Sequence, residues 1–162
     1  MIKEEIGVFA GSFDPFTNGH LAVLKIALKA FKKVVILVMK NPHKSSMFSI
    51  KERIIIISEI IKDIEGASVD TAAGYTVDYA VKIGAKQLIR GVRGEKDVAY
   101  EYELMTKNKE LNESISTTLI WVDAKYENIS STVVKEMFLE GKNITEFVPP
   151  EVVKALAKKL NH

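Results

Sequence analysis

The feature that most constrains this chain is an alternation. Short apolar, β-branched runs recur between longer amphipathic stretches, which is the pattern of parallel strands joined by crossover helices. Five strands are predicted, at Ile6 to Ala10, Val34 to Met39, Ala67 to Thr71, Gln87 to Arg90 and Thr117 to Val122, each apolar enough to be covered on both faces.

The intervening segments read as helices. Ser49 and Glu52 form a Ser-x-x-Glu capping box ahead of Ile50, Ile54, Ile57, Ile61 and Ile64 at helical spacing, and Gly66 is the expected stop. Ile55, Ile56 and Ile60 widen that apolar stripe beyond what one sheet face covers, which suits either a subunit contact or a fully buried helix. Further helices are expected at His20 to Phe31, Thr76 to Ile83 with Gly84 as a left-handed stop, and Asp97 to Leu111. Two more close the chain, from Ser131 to Glu140 and from the Pro149-Pro150 pair onward. The fold class is therefore α/β: a Rossmann-like, doubly wound five-stranded parallel sheet with C-terminal helices, in one domain spanning 1–162.

Bulk composition agrees and narrows the functions. At 162 residues and 47% hydrophobic content, one core can hide roughly two-thirds of the unfolded chain's surface. The net charge of +2 is too small for a nucleic-acid binder, so any anion site must be local. Cysteine is absent, which excludes a disulfide framework and a thiolate metal site. Met1 to Glu5 lacks the form of a signal peptide, and no apolar run approaches the roughly 20 residues that span a bilayer. A cytoplasmic protein with no membrane partner is expected.

The chemistry concentrates after the first strand, in Gly11-Ser12-Phe13-Asp14-Pro15-Phe16-Thr17-Asn18-Gly19-His20. In an open parallel sheet ligands collect beyond the carboxyl ends of strands, and a helix start offers unpaired N–H groups to an anion. Gly11 would admit a phosphate to the backbone, and Ser12 and Thr17 supply hydroxyls. His20, biased toward its neutral form near a helix N-terminus, could still donate one hydrogen bond to a phosphoryl oxygen gaining charge. The plain alternative is a capped turn with His20 satisfied in the core.

This string resembles the signature of the nucleotidyltransferases related to class I aminoacyl-tRNA synthetases. Thr17-Asn18-Gly19-His20 is similar to the Thr-x-Gly-His form of the phosphopantetheine adenylyltransferases, where cytidylyltransferases and nicotinamide-type adenylyltransferases usually carry His at the place of Thr17. The resemblance continues through Asn41-Pro42-His43-Lys44, Met47-Phe48, Ile89-Arg90-Gly91-Val92-Arg93, Tyr100-Glu101 and Ile129-Ser130-Ser131-Thr132.

What the resemblance implies is specific. The reaction is transfer of the adenylyl group of ATP to 4'-phosphopantetheine, giving dephospho-coenzyme A and pyrophosphate. His20, Lys44 and Arg93 carry the catalysis. ATP meets Ser12, Phe13, His20, Gly91, Val92, Arg93, Glu101 and the segment Tyr126, Glu127, Asn128, Ile129, Ser130, Ser131 and Thr132. The acceptor meets Ser12, Lys44, Thr76 and Arg90. A homohexamer and feedback inhibition by coenzyme A are implied as well.

The residues bear on these assignments. Arg90 and Arg93 bracket Gly91 at a strand end, where two guanidinium forks suit two phosphates. Lys44 is suited to act as a mobile point charge, while His43 beside it reads as a surface residue. Ser130 and Ser131 could equally be a plain N-cap, and Trp121, inside a strand, reads as core. Tyr75 and Thr76 stand where leucine or methionine is commoner. Mg2+ is expected with ATP, held by phosphates and water, because the proposed site has no carboxylate cluster to serve as a protein metal site. The competing readings are an adenylyl- or cytidylyltransferase for another phosphorylated acceptor, which Thr17 disfavours, and a non-catalytic ATP-binding regulatory module, which would not need His20, Lys44 and both arginines together. A phosphate-loop kinase is disfavoured by the absence of a Gly-x-x-x-x-Gly-Lys-Ser/Thr string.

Overall fold

A computed structural model describes residues 4–43 and 45–160. Its five strands are β1 (Glu4–Gly11), β2 (Phe31–Val38), β3 (Ala67–Thr71), β4 (Gln87–Val92) and β5 (Ser116–Trp121). They pair in the order β3-β2-β1-β4-β5, every neighbour parallel. The helices are α1 (Asn18–Ala30), α2 (Ile50–Ile61), α3 (Thr76–Ile83), α4 (Glu95–Leu111), α5 (Ser131–Leu139) and α6 (Pro150–Leu160). The expected α/β sheet is thus present. Its strand order reverses between β1 and β4, the switch point beyond which open sheets hold their ligands.

One sheet face packs Phe9, Val34, Ile36, Val38, Ile89 and Ile120 against Val23, Leu24 and Ala27 of α1 and Ile57 and Ile61 of α2. The other packs Val8, Leu37 and Leu88 against Val77 and Ala80 of α3. Two glycines make this closeness possible. A Cβ on Gly91 would meet Cγ2 of Val23 at 2.7 Å, so α1 lies on β4 only because that position has no side chain. At Gly66, φ is +87° and a Cβ would meet the Lys32 carbonyl oxygen at 2.6 Å.

Three expectations need correction. Helix α2 ends at Ile61, well before Gly66, and Ile64 belongs to the turn that follows. The widened isoleucine stripe has an internal partner: Ile56 and Ile60 pack with Phe48, Val152 and Leu156 in a third cluster built largely by α5 and α6, leaving Ile55 exposed. The edge strands β3 and β5 are not covered on both faces. Trp121 is accordingly not core but 61% exposed. Strand alternation explains this, because Ile120 points into the α1 face and sends Leu119 and Trp121 to the opposite one, where both are exposed. Among the described residues no helix is long and apolar enough to cross a membrane.

Candidate functional site

A cleft of about 690 Å³ opens at the carboxyl ends of the strands. His20, Arg93 and Ser131 share it with Ser12, Phe13, Thr76, Arg90, Gly91, Glu101, Ile129 and Ser130. Lys44 lies outside the described residues. His43, expected as plain surface, is exposed but borders the cleft as well. Val92, Tyr126, Glu127, Asn128 and Thr132 do not line it. Val92 is buried in the sheet, and Tyr126 packs against two of the apolar clusters.

The signature segment builds the floor. Thr17 is the N-cap of α1, and its hydroxyl accepts from the His20 amide at 3.3 Å. In return the Thr17 amide donates to Nδ1 of His20 at 3.0 Å, so a histidine takes the place that Glu fills in an ordinary capping box. With Nδ1 accepting, the ring proton of the neutral imidazole sits on Nε2, and that nitrogen is the donor left for a ligand.

Phe9, Phe13 and Phe16 surround this imidazole with ring centroids at 6.3, 5.0 and 5.3 Å. Part of the ring still meets the cleft, but the phenyl groups strip it of water. Burial first, and then the Arg90 and Arg93 guanidinium groups, push the pKa of His20 from 6.5 down to about 3. The neutral form is therefore as expected from the sequence, with burial rather than the helix end as its main cause.

Gly11 plays a different part from the one anticipated. A Cβ there would meet the Phe13 ring at 3.1 Å, so the missing side chain makes room for that phenyl group. Phe13 itself adopts φ +49°, a left-handed conformation costly for a bulky residue and held by the packed cage. Asp14 is buried and accepts hydrogen bonds from the Met47 and Phe48 amides at 2.8 and 2.9 Å. Lys135 reaches the same carboxylate at 3.5 Å.

The arginines differ most from expectation. Arg90 presents its Nε and NH2 edge to Glu101, at 2.9 and 2.8 Å, and donates NH1 to the Ala10 carbonyl at 2.9 Å. Arg93 donates to Asp97 from both its amide, at 3.0 Å, and Nε, at 3.2 Å, while NH1 bonds the Ile129 carbonyl at 3.1 Å. Both forks are thus engaged within the protein, and a phosphate would meet the N–H groups that remain. Glu101 is only 4% exposed, unlike a typical helical Glu between two tyrosines.

The second helix entry is also tied in. Ser130 caps α5 by accepting from the Val133 amide at 3.1 Å, and the Ser131 hydroxyl donates to the Pro15 carbonyl at 2.7 Å. Asn18 holds the far side, donating its amide to Phe147 at 2.8 Å and its Nδ2 to Glu146 at 3.0 Å. Thr76 borders the cleft with its hydroxyl on Sδ of Met39 at 3.2 Å, whereas the Tyr75 side chain is exposed.

Sequence reasoning missed Arg53 entirely. This residue of α2 is 2% exposed, and its guanidinium donates to the carbonyls of Phe48, Ser49, Ser12 and Met39. A long basic side chain on a helix ordinarily reads as solvated. The one available signal was its position just after the capping box, next to Met47-Phe48.

Comparison with known proteins agrees with this arrangement. A family model described as cytidylyltransferase-like matches residues 8–137. A phosphopantetheine adenylyltransferase of Geotalea daltonii is 41% identical over 97% of this chain and 98% of its own length. One of Alkaliphilus metalliredigens is 37% identical over 96% and 99% respectively. In fold, a solved structure assigned provisionally as a nicotinate-nucleotide adenylyltransferase of Vibrio parahaemolyticus superposes with a TM-score of 0.68 at 23% identity, covering 95% of this chain and 99% of that one. With the sheet, the cleft at its switch point and near-full-length kinship in agreement, the chain belongs to the cytidylyltransferase-like nucleotidyltransferases and, within them, to the phosphopantetheine adenylyltransferase family.

Proposed function

We propose that this chain transfers the adenylyl group of ATP to the phosphate of 4'-phosphopantetheine, releasing pyrophosphate and dephospho-coenzyme A. The observation that carries the reading is His20: a neutral imidazole whose Nδ1 is occupied by the Thr17 amide, in a cleft shared with Arg90, Arg93 and the hydroxyl-bearing starts of two helices. The near-full-length relatives named for that activity support the choice of acceptor.

The acceptor phosphate has a second pKa of about 6, so at neutral pH it is already the nucleophile and needs no general base. One of its oxygens attacks the α-phosphorus in line, the bond from that phosphorus to the β-bridging oxygen breaks, and pyrophosphate leaves with the electron pair. Catalysis is then positioning and charge stabilisation. His20 donates from Nε2 to the α-phosphoryl oxygens as charge develops, Lys44 neutralises the same group, and Arg93 steadies the departing pyrophosphate.

In this reading Ser12, Phe13, Gly91, Arg93, Ile129, Ser130 and Ser131, which line the cleft, bind ATP, and Val92, Tyr126, Glu127, Asn128 and Thr132, which do not line it, adjoin them in the chain. Ser12, Lys44, Thr76 and Arg90 take the acceptor. Glu101, which the resemblance puts with ATP, serves the acceptor in this reading by holding Arg90. Mg2+ enters on the nucleotide, carried by its phosphates and water, where it would screen their charge. In this reading no side chain of the chain is assigned to hold the metal.

One domain spanning 1–162 acts in the cytoplasm as a homohexamer inhibited by coenzyme A. The surface that supports assembly is no longer the isoleucine helix but the exposed Leu119 and Trp121 of β5, with Tyr100 and Tyr102 exposed on α4. The deciding experiment supplies purified protein with ATP and phosphopantetheine and follows pyrophosphate and dephospho-coenzyme A. No turnover with phosphopantetheine, alongside turnover of nicotinamide mononucleotide or glycerol phosphate, would overturn the acceptor.

A further inference from the structure

The chain between β2 and α2, residues 39–49, carries Lys44, and its described residues form no helix or strand. A catalytic lysine in such a segment is useful only if both flanks are held, because ordering a free loop at each turnover costs conformational entropy. Two buried charged residues hold these flanks. Asp14 takes the amides of Met47 and Phe48, downstream of Lys44. Arg53 takes the rest: Nε to Phe48 O at 3.0 Å and Ser49 O at 3.3 Å, NH2 to Ser46 Oγ at 3.4 Å, and NH1 to Met39 O at 3.4 Å and Ser12 O at 2.7 Å.

These partners have a common feature. Met39 precedes the Lys44 segment, Ser46 to Ser49 follow it, and Ser12 belongs to the signature turn at the neighbouring strand end, where the Met39 amide also bonds the Gly11 carbonyl at 2.9 Å. Ser12 and Met39 both border the cleft. One planar group thus measures the separation between the signature turn and the two flanks of the segment. Among the described residues Arg53 makes no ion pair, and a buried guanidinium left without a carboxylate persists only when its N–H groups are met by oxygens. A fork with five fixed donors can do this at several carbonyls together, whereas an ammonium acts as a single compact point.

We propose that Arg53 is a positioning residue for adenylyl transfer, fixing the Lys44 segment in register with Ser12. The proposal rests on the adenylyltransferase reading above. It separates binding from chemistry: Arg53 acts through Ser12 and the Lys44 flanks, so its loss misplaces groups around the reacting phosphates more than it weakens the hold on the nucleotide.

The test compares wild type, Arg53→Met and Arg53→Lys in the pyrophosphate-release assay, with folded fraction measured by urea titration and trypsin cleavage after Lys40 and Lys44 followed in parallel. Arg53→Met is expected to lose on the order of 100-fold in kcat with KM for ATP within about threefold, as ångström-scale misplacement does. Arg53→Lys should recover part of that loss, remaining about tenfold below wild type because one ammonium cannot span all the carbonyls. Both variants should be cut faster at Lys40 or Lys44 while still folded. The proposal is overturned if kcat falls only in proportion to the unfolded fraction, if KM alone changes, or if both variants keep wild-type kcat. A wild-type enzyme inactive on phosphopantetheine would instead sink the reading it rests on, and unchanged cleavage in the folded variants would then reject the clamp as well.

Discussion

Glu101, buried in the first half of α4, holds Arg90 at the end of β4 through two parallel hydrogen bonds of 2.9 and 2.8 Å. The pair orients the guanidinium while NH1 reaches across the switch point to Ala10 on β1. Glu101→Gln keeps the shape but removes the charge, so Arg90 loses its bidentate partner. We expect KM for phosphopantetheine to rise about tenfold, one strong charge-assisted hydrogen bond's worth, with KM for ATP changing less. Separate saturation curves for the two substrates check this, and an equal rise in both would place Glu101 with the nucleotide directly.

His20→Ala removes the Nε2 donor, and with it the Nδ1 acceptor of the Thr17 amide. Turnover should fall by roughly 100-fold or more while ATP still binds, as when a single donor to a developing oxyanion is deleted. Equilibrium binding of ATP beside single-turnover rates decides it. Normal turnover would take His20 out of the reaction.

The depressed pKa of His20 sets a pH dependence whose sign follows from the folded state refusing a proton that the unfolded chain accepts. This contribution to stability is complete above about pH 6.5, the unfolded value, and is lost as pH falls toward about 3. Urea midpoints across that window should decline more steeply with acid in wild type than in His20→Gln. Turnover, by contrast, should show no loss from His20 ionisation near neutrality, and the first acidic limit is the substrate phosphate near its second pKa of about 6.

At the packing level, Gly91→Ala should destabilise by about 1–3 kcal/mol, because the added methyl lands 2.7 Å from Cγ2 of Val23. Val23→Ala opens that space. The double variant should therefore be more stable than the sum of the single effects implies, a coupling measurable from four denaturation curves.

How far the sequence could be read depends on the range of the interactions involved. Local periodicity was enough for the strands, and Ala67–Thr71 and Thr76–Ile83 match their predicted bounds because each is closed by its own turn residues. The signature string located the cleft, since Thr17 and His20 interact only three residues apart. Arg53 and Asp14 escaped notice for the opposite reason: their partners at Ser12, Met39 and Phe48 are distant in the chain, and no spacing rule connects them. Trp121 was misjudged because an apolar run does not reveal which strand will stand at the sheet's edge.

The stitches from Asn18 to Glu146 and Phe147, and from Ser131 to Pro15, also have a consequence for biosynthesis. The signature turn leaves the ribosome early, yet the groups that fasten it are translated near the end. A nascent or truncated chain lacking residues beyond 130 has the Thr-Asn-Gly-His string, its phenyl cage and the Arg53 bond to Ser12 but neither of these late stitches, so the turn is fully fastened only once the final helices are made.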